Sequence, residues 1–176
     1  GSALDLEAWE RGTSVYFADQ VVPMLPRELS NGICSLNPRV DRLALSCVMT
    51  LTPEGEVVDH TIAKSVIRTT ERMTYEDCNA LLAHSDPALA ERYARILPML
   101  EDMAALSRVL EGRRRRRGAL ELDTRESYVV CDESGTPVDV VLRTPGISEG
   151  LIESFMLAAN ECVAEHLNRL DKPCVY

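Results

Sequence analysis

Apolar side chains at Leu89, Tyr93, Ile96, Leu100, Met103, Leu106 and Leu110 recur every three or four positions. That period commits the stretch SDPALAERYARILPMLEDMAALSRVLEGRRRRRG to a long amphipathic helix. Ser85 or Asp86 stands where a helix start needs a side-chain acceptor, and Pro87 takes the first helical position, where a missing N–H is harmless. Pro98 falls inside the run and predicts a bend or break about midway.

The flanking segments have a different period. LALSCVMTLT, a PEGE turn and VVDHTIAKSVIRTTERMTY are rich in Val, Thr and Ile and read as an antiparallel hairpin closed at Gly55. A second hairpin, SYVVCDESGTPVDVVLR, turns at ESGT and is preceded by a short strand at ALEL. Helices are expected over residues 4–11, from Thr74 to about His84 with Thr74 as cap, and across SEGLIESFMLAANECVAEHLNRL at the end. Between residues 14 and 38 the punctuation PMLP, LSNG and NP excludes any long element and predicts a tightly wrapped, partly buried loop. The order of elements gives an α+β fold: antiparallel β hairpins with a long amphipathic helix and a C-terminal helix.

Of 176 residues, 45% are hydrophobic and 27% charged, the balance of one soluble domain with a real core. The net charge of −9 repels polyanions on average, so nucleic-acid binding requires a local basic surface, for which Arg113 to Arg117 are the candidates. Cations at a helix C-terminus also answer the helix dipole, and two of five would suffice for that. Six scattered cysteines without a C-x-x-C pair read as reduced, buried thiols of a cytoplasmic protein. His60, His84 and His166 lie too far apart in sequence for a zinc motif. No apolar run is long enough for a membrane helix, and no pattern specifies an oligomeric state.

No carboxylates cluster in the D-x-D manner that holds paired divalent ions. Glu153 stands out because its neighbours Ile152, Phe155 and Met156 are apolar, which makes it either a rim residue or an acid held for a purpose. Tyr16 and Tyr75 fall at element ends and are candidate platforms for stacking on bases.

The stretch ALDLEAWERGTSVYFADQVVPMLPRELSNGICSLNPRVDRLALSCVMTLTPEGEV resembles the catalytic (RNB) domain of the ribonuclease II and ribonuclease R family of exoribonucleases. RMTYEDCNALL, RRRRRGALEL, GLIESFMLAANECVAEHL and KPCVY follow in the family's order, so the resemblance covers the whole chain. It implies a central segment, residues 1–176, of a single RNB-type catalytic domain, without the family's N-terminal aspartate cluster and C-terminal part. The implied activity is processive 3′ to 5′ hydrolysis of single-stranded RNA to nucleoside monophosphates. Mg2+ serves the complete enzyme, and none is expected to be held by this segment.

By the same resemblance Tyr16 stacks on the 3′-terminal base, and Tyr75 and Glu153 grip the terminal nucleotide and favour ribose. Leu122 stands where some members carry a phenylalanine on the other face of the base. Arg116 and Arg117 are expected to be structural or to line the RNA channel, and Arg113 and Arg114 to be a solvated addition. Tyr16, Tyr75 and Glu153 are thereby expected to converge on one pocket for an unpaired RNA 3′ end. Without the aspartates the segment alone is expected to be inactive. The alternative reading is a non-catalytic relic that binds RNA ends or a protein partner.

Overall fold

The computed structural model describes residues 1–120 and 126–175. Helix α1 (Ala3–Arg11) is capped by the Ser2 hydroxyl, which accepts from the Asp5 N–H. A two-residue hairpin, β1 (Val15–Tyr16) and β2 (Val21–Val22), pairs Tyr16 with Val21, and a π-helical turn (Glu28–Ile33) follows. The expected wrapped loop is therefore partly structured. Strands β3 (Asp41–Leu51) and β4 (Val57–Arg68) form the long hairpin.

Helix α2 (Tyr75–Leu82) starts at Thr74, whose Oγ1 accepts from the Asp77 N–H at 3.1 Å. The expected long helix is two: α3 (Pro87–Arg92), capped by Asp86, and α4 (Leu97–Arg116). Pro98 sits in the first turn of α4 rather than at a kink within it. An interior proline would leave a carbonyl one turn back without its donor, whereas in a first turn no donor is required. Strands β5 (Glu126–Cys131) and β6 (Pro137–Arg143) make the second hairpin, and α5 (Ile147–Arg169) closes the order. The mixed α+β architecture is as the sequence implies, with one correction. Ala119 and Leu120 of ALEL join no strand, and the rest of that stretch lies outside the described residues.

Two compact units divide the chain. The first comprises Gly1–Leu43, Val66–Arg72 and the β5–β6 hairpin; the second comprises Ala44–Ser65, helices α2 to α4 and the chain from Pro145 onward. The second holds the principal core, where Leu81 of α2, Tyr93 just past the end of α3 and Leu100 of α4 meet with Cys78, Leu89 and Met103 around them. Leu81 is 1% exposed, the deepest apolar side chain described.

The β3–β4 hairpin is apolar on both faces. Ala44, Met49, Leu51 and Ile62 are half-buried, yet Leu43, Leu45, Val48 and Val58 point outward and are exposed. In the second unit Cys47 of β3 meets Cys162 of α5 with Sγ atoms 3.8 Å apart. His60 of β4 meets His166 of α5 edge-on at 2.9 Å. Cys162 and His166 are four residues apart, on one face of α5, so each helix turn meets a different strand. All six cysteines are free thiols; only Cys162 is buried and Cys34 is exposed, which corrects the expectation of uniformly buried thiols.

Candidate functional site

The RGTSVY and PMLP motifs build the small hairpin that carries Tyr16. The Ser14 hydroxyl accepts from the Met24 N–H at 3.0 Å, Arg11 reaches the Pro23 carbonyl, and the Phe17 N–H donates to the Gln20 carbonyl at 2.8 Å. With its backbone held on both strands, the hairpin presents the Tyr16 ring outward, 77% exposed. The LSNG turn beside it in sequence is fastened by Arg42, whose guanidinium donates to the carbonyls of Ser35 at 2.9 Å and Gly32 at 3.2 Å. Asn37 adds a bond to the Asn31 carbonyl. Arg42 was not singled out from the sequence, because its partners are carbonyls, which any residue supplies.

In the second unit Tyr75 is the first residue of α2 and 41% exposed. It lines a largely apolar cavity of about 300 Å³ with Met73, Cys78, Ser148, Leu151 and Ile152. Glu153 lies on α5 one residue beyond Ile152 and turns to a different cavity, of about 360 Å³, shared with Ser107, Arg108, Glu111 and Arg114. Its Oε1 is 3.4 Å from Nη1 of Arg114. Tyr75 and Glu153 thus line separate cavities of the second unit, while Tyr16 belongs to the first unit. Leu122 lies outside the described residues.

The arginine run is mostly tied to the second unit itself. Arg113 donates to the Gly55 carbonyl at 2.9 Å. Arg114 pairs with Glu153, and its Nε is enclosed without an acceptor among the described residues. Arg115 reaches back to Glu111, and Arg117 makes a two-pronged bond to Glu161 at 3.1 and 2.9 Å. That bond to Glu161 raises the pKa of Arg117 above the ordinary guanidinium value. Arg116 is exposed and makes no ion pair among the described residues. The sequence expectation for Arg113 and Arg114 is therefore corrected: they are half-buried against the hairpin tip and α5, because an arginine pointing along the groove can reach acceptors that solvent would otherwise serve.

Beneath Tyr75, α2 and α5 are joined by a polar cluster. Asn79 Oδ1 accepts from the Ser148 N–H at 2.9 Å and Asn79 Nδ2 donates to Glu149 Oε2 at 3.1 Å. The same Glu149 oxygen accepts from the Gly146 N–H at 2.9 Å. These bonds, the one from Asn79 foremost, hold the Glu149 carboxylate below the usual carboxylate range. Glu149, three residues into a helix that starts at a glycine, carries a local signal of half a capping box; Asn79 carries none.

Among the described residues no three His, Cys, Asp or Glu side chains come together as metal ligands, so these residues do not fit a magnesium site. No described helix is long and apolar enough to cross a membrane. Chemically, the first unit offers one exposed phenol ring suited to stacking; the second, by itself, offers another at the start of α2, hydrogen-bonding groups at the start of two helices, and an arginine-rich but internally compensated helix end.

Residues 1–176 match the model of the RNB domain, and the chain belongs to that family. Ribonuclease R 1 of Lactococcus lactis is 53% identical over 175 residues, covering 99% of this chain and 21% of the relative. Ribonuclease R of Thermotoga maritima is 45% identical over 177 residues, covering 100% of this chain and 25% of the relative. The solved structure of Mycoplasma genitalium RNase R in complex with ribose-methylated single-stranded RNA superposes with a TM-score of 0.87 at 28% identity, over 97% of this chain and 26% of that one. The chain thus spans about a fifth to a quarter of the length of these proteins.

Proposed function

We propose that this chain is the part of a ribonuclease R-type 3′ to 5′ exoribonuclease that receives the 3′ end of single-stranded RNA. Tyr16 stacks on the terminal base, and Tyr75 and Glu153 contact the last nucleotide and favour ribose; Arg116, exposed and in no ion pair among the described residues, faces the strand. The observation that carries the reading is the Tyr16 ring, 77% exposed on a hairpin whose backbone is held by motif residues on both sides. A rigidly mounted exposed ring is a ready stacking surface, worth ~1–3 kcal/mol per base. Support also comes from the 53% identity to a ribonuclease R and from the RNA-bound state of a structural relative.

Magnesium supplies charge stabilisation at phosphate in such chemistry, and the family resemblance assigns its aspartate ligands to a part of the enzyme other than this segment. The segment by itself is accordingly inactive, since phosphoryl transfer depends on positioning and charge stabilisation at the scissile phosphate.

The test is the product ladder of the full-length enzyme. Tyr16→Ala lengthens the smallest end product, because short strands leave a weakened clamp; an unchanged ladder overturns the assignment. Incubating the 176-residue chain with magnesium and single-stranded RNA leaves the strand intact, and stepwise degradation would overturn its inactivity.

A further inference from the structure

Helix α5 begins at Gly146, which has no side chain with which to cap it, yet the second N–H of that helix is satisfied. The acceptor is Asn79 Oδ1, 2.9 Å from the Ser148 nitrogen, supplied by a different helix and 69 residues away in sequence. Asn79 approaches so closely that a Cβ on Gly146 would overlap its amide group. Its Nδ2 donates to Glu149 Oε2, which also accepts from the Gly146 N–H and stands 3.1 Å from the Ser148 hydroxyl. The Ser148 hydroxyl, 4% exposed, is in turn 3.2 Å from the Tyr75 carbonyl oxygen. Its single proton serves either that carbonyl or Glu149, and both alternatives tie the start of α5 to the start of α2.

We infer that Asn79 is a positioning residue for the terminal-nucleotide pocket at Tyr75, acting through Ser148 and Glu149. Asn79 lies one turn beyond Tyr75 on the same face of α2, and its amide fixes the distance between α2 and the first turn of α5. The cavity walls at Tyr75 come from one helix and those at Leu151 and Ile152 from the other, so this junction sets the cavity's width. An amide alone satisfies both partners: its oxygen faces an N–H donor and its nitrogen faces a carboxylate. Aspartate at position 79 would keep the first bond and set two carboxylates against each other in the second.

The inference rests on the reading of Tyr75 given above, and the experiment separates the two. In the full-length enzyme, kcat/KM is measured on a single-stranded oligoribonucleotide and on the same strand ending in 2′-deoxyribose. Tyr75→Ala tests the pocket itself. Asn79→Ala and Asn79→Asp are expected to reduce the ribose preference roughly tenfold, the order of effect that small misplacements of a binding group produce. A purely structural role would lower the melting temperature of the single variants while leaving the ribose preference of the folded fraction unchanged. That outcome overturns the inference while leaving Tyr75 in place. Should Tyr75→Ala itself leave the preference unchanged, the pocket reading fails and the inference with it. If Asn79→Ala does not fold, Ser148→Ala removes the hydroxyl that reaches the Tyr75 carbonyl and Glu149, keeps the backbone N–H that Asn79 accepts from, and carries the same expectation.

Discussion

Arg113 Nη1 lies 2.9 Å from the carbonyl oxygen of Gly55, 58 residues earlier in the chain, and so joins the end of α4 to the tip of the β3–β4 hairpin. Gly55 itself holds φ of +81°, and a Cβ there would stand 3.0 Å from Val109 Cγ1. Conformation and space both exclude a side chain at the point where α4 meets the turn. Gly55→Ala is expected to destabilise the protein by about 1–3 kcal/mol, combining left-handed strain with overpacking. The check is a lower denaturant midpoint with unchanged m-value, and an unshifted midpoint would show that the turn adapts freely.

The Glu149 carboxylate gives the α2–α5 junction a dependence on acid. Its folded pKa lies below the ordinary value of 4.5, chiefly through Asn79. Its stabilisation is therefore complete above that ordinary value and is lost as pH falls through the lowered folded one. Stability measured against pH should fall more steeply on the acid side for the natural protein than for Glu149→Gln. Parallel acid limbs would mean that Glu149 ionises alike in both states.

Burial beside Cys47 pushes the Cys162 thiol up to about 11, with desolvation the largest cause. The folded protein thus keeps this proton between the ordinary value of 9.0 and about 11, where the unfolded chain releases it, and stability declines with rising pH across that window. At neutral pH a maleimide should label exposed Cys34 much faster than Cys162, read by peptide mass spectrometry. Equal labelling rates would place Cys162 at the surface.

The two-pronged Arg117–Glu161 bond has good geometry but both side chains are about half exposed, at 49% and 51%. Water screens such a pair, so a double-mutant cycle between Arg117→Ala and Glu161→Ala should give a coupling of about 0.2–1 kcal/mol that shrinks as salt is raised. A salt-independent coupling well above that range would identify a desolvated pair.

The legible parts of the fold are those whose chemistry is local. Thr74 and Asp86 cap helices as their spacing implies, and Gly55 closes its hairpin, because each bond joins residues within one turn. Pro98 was a legible breaker, although whether the helix would bend at it or restart around it depended on what α3 and α4 pack against. Arg113 and Arg114 were misread as solvated because their partners, Gly55 and Glu153, lie 58 and 39 residues away. Tyr16, Tyr75 and Glu153 are candidates by family resemblance, and nothing in their spacing announced that Tyr75 and Glu153 would turn to separate cavities.

Sequence alone determined the two long hairpins, most of the helix positions and the order of these elements, since periodicity, caps and turn residues act over a few positions, and its motifs carried the family resemblance. The tertiary structure alone decided that an asparagine on one helix caps another, that four thiol and imidazole groups seat a hairpin on α5, and that most of a basic run is spent on the protein's own acceptors. Those outcomes depend on which distant groups reach hydrogen-bonding distance, a property of the packed chain that no local pattern encodes.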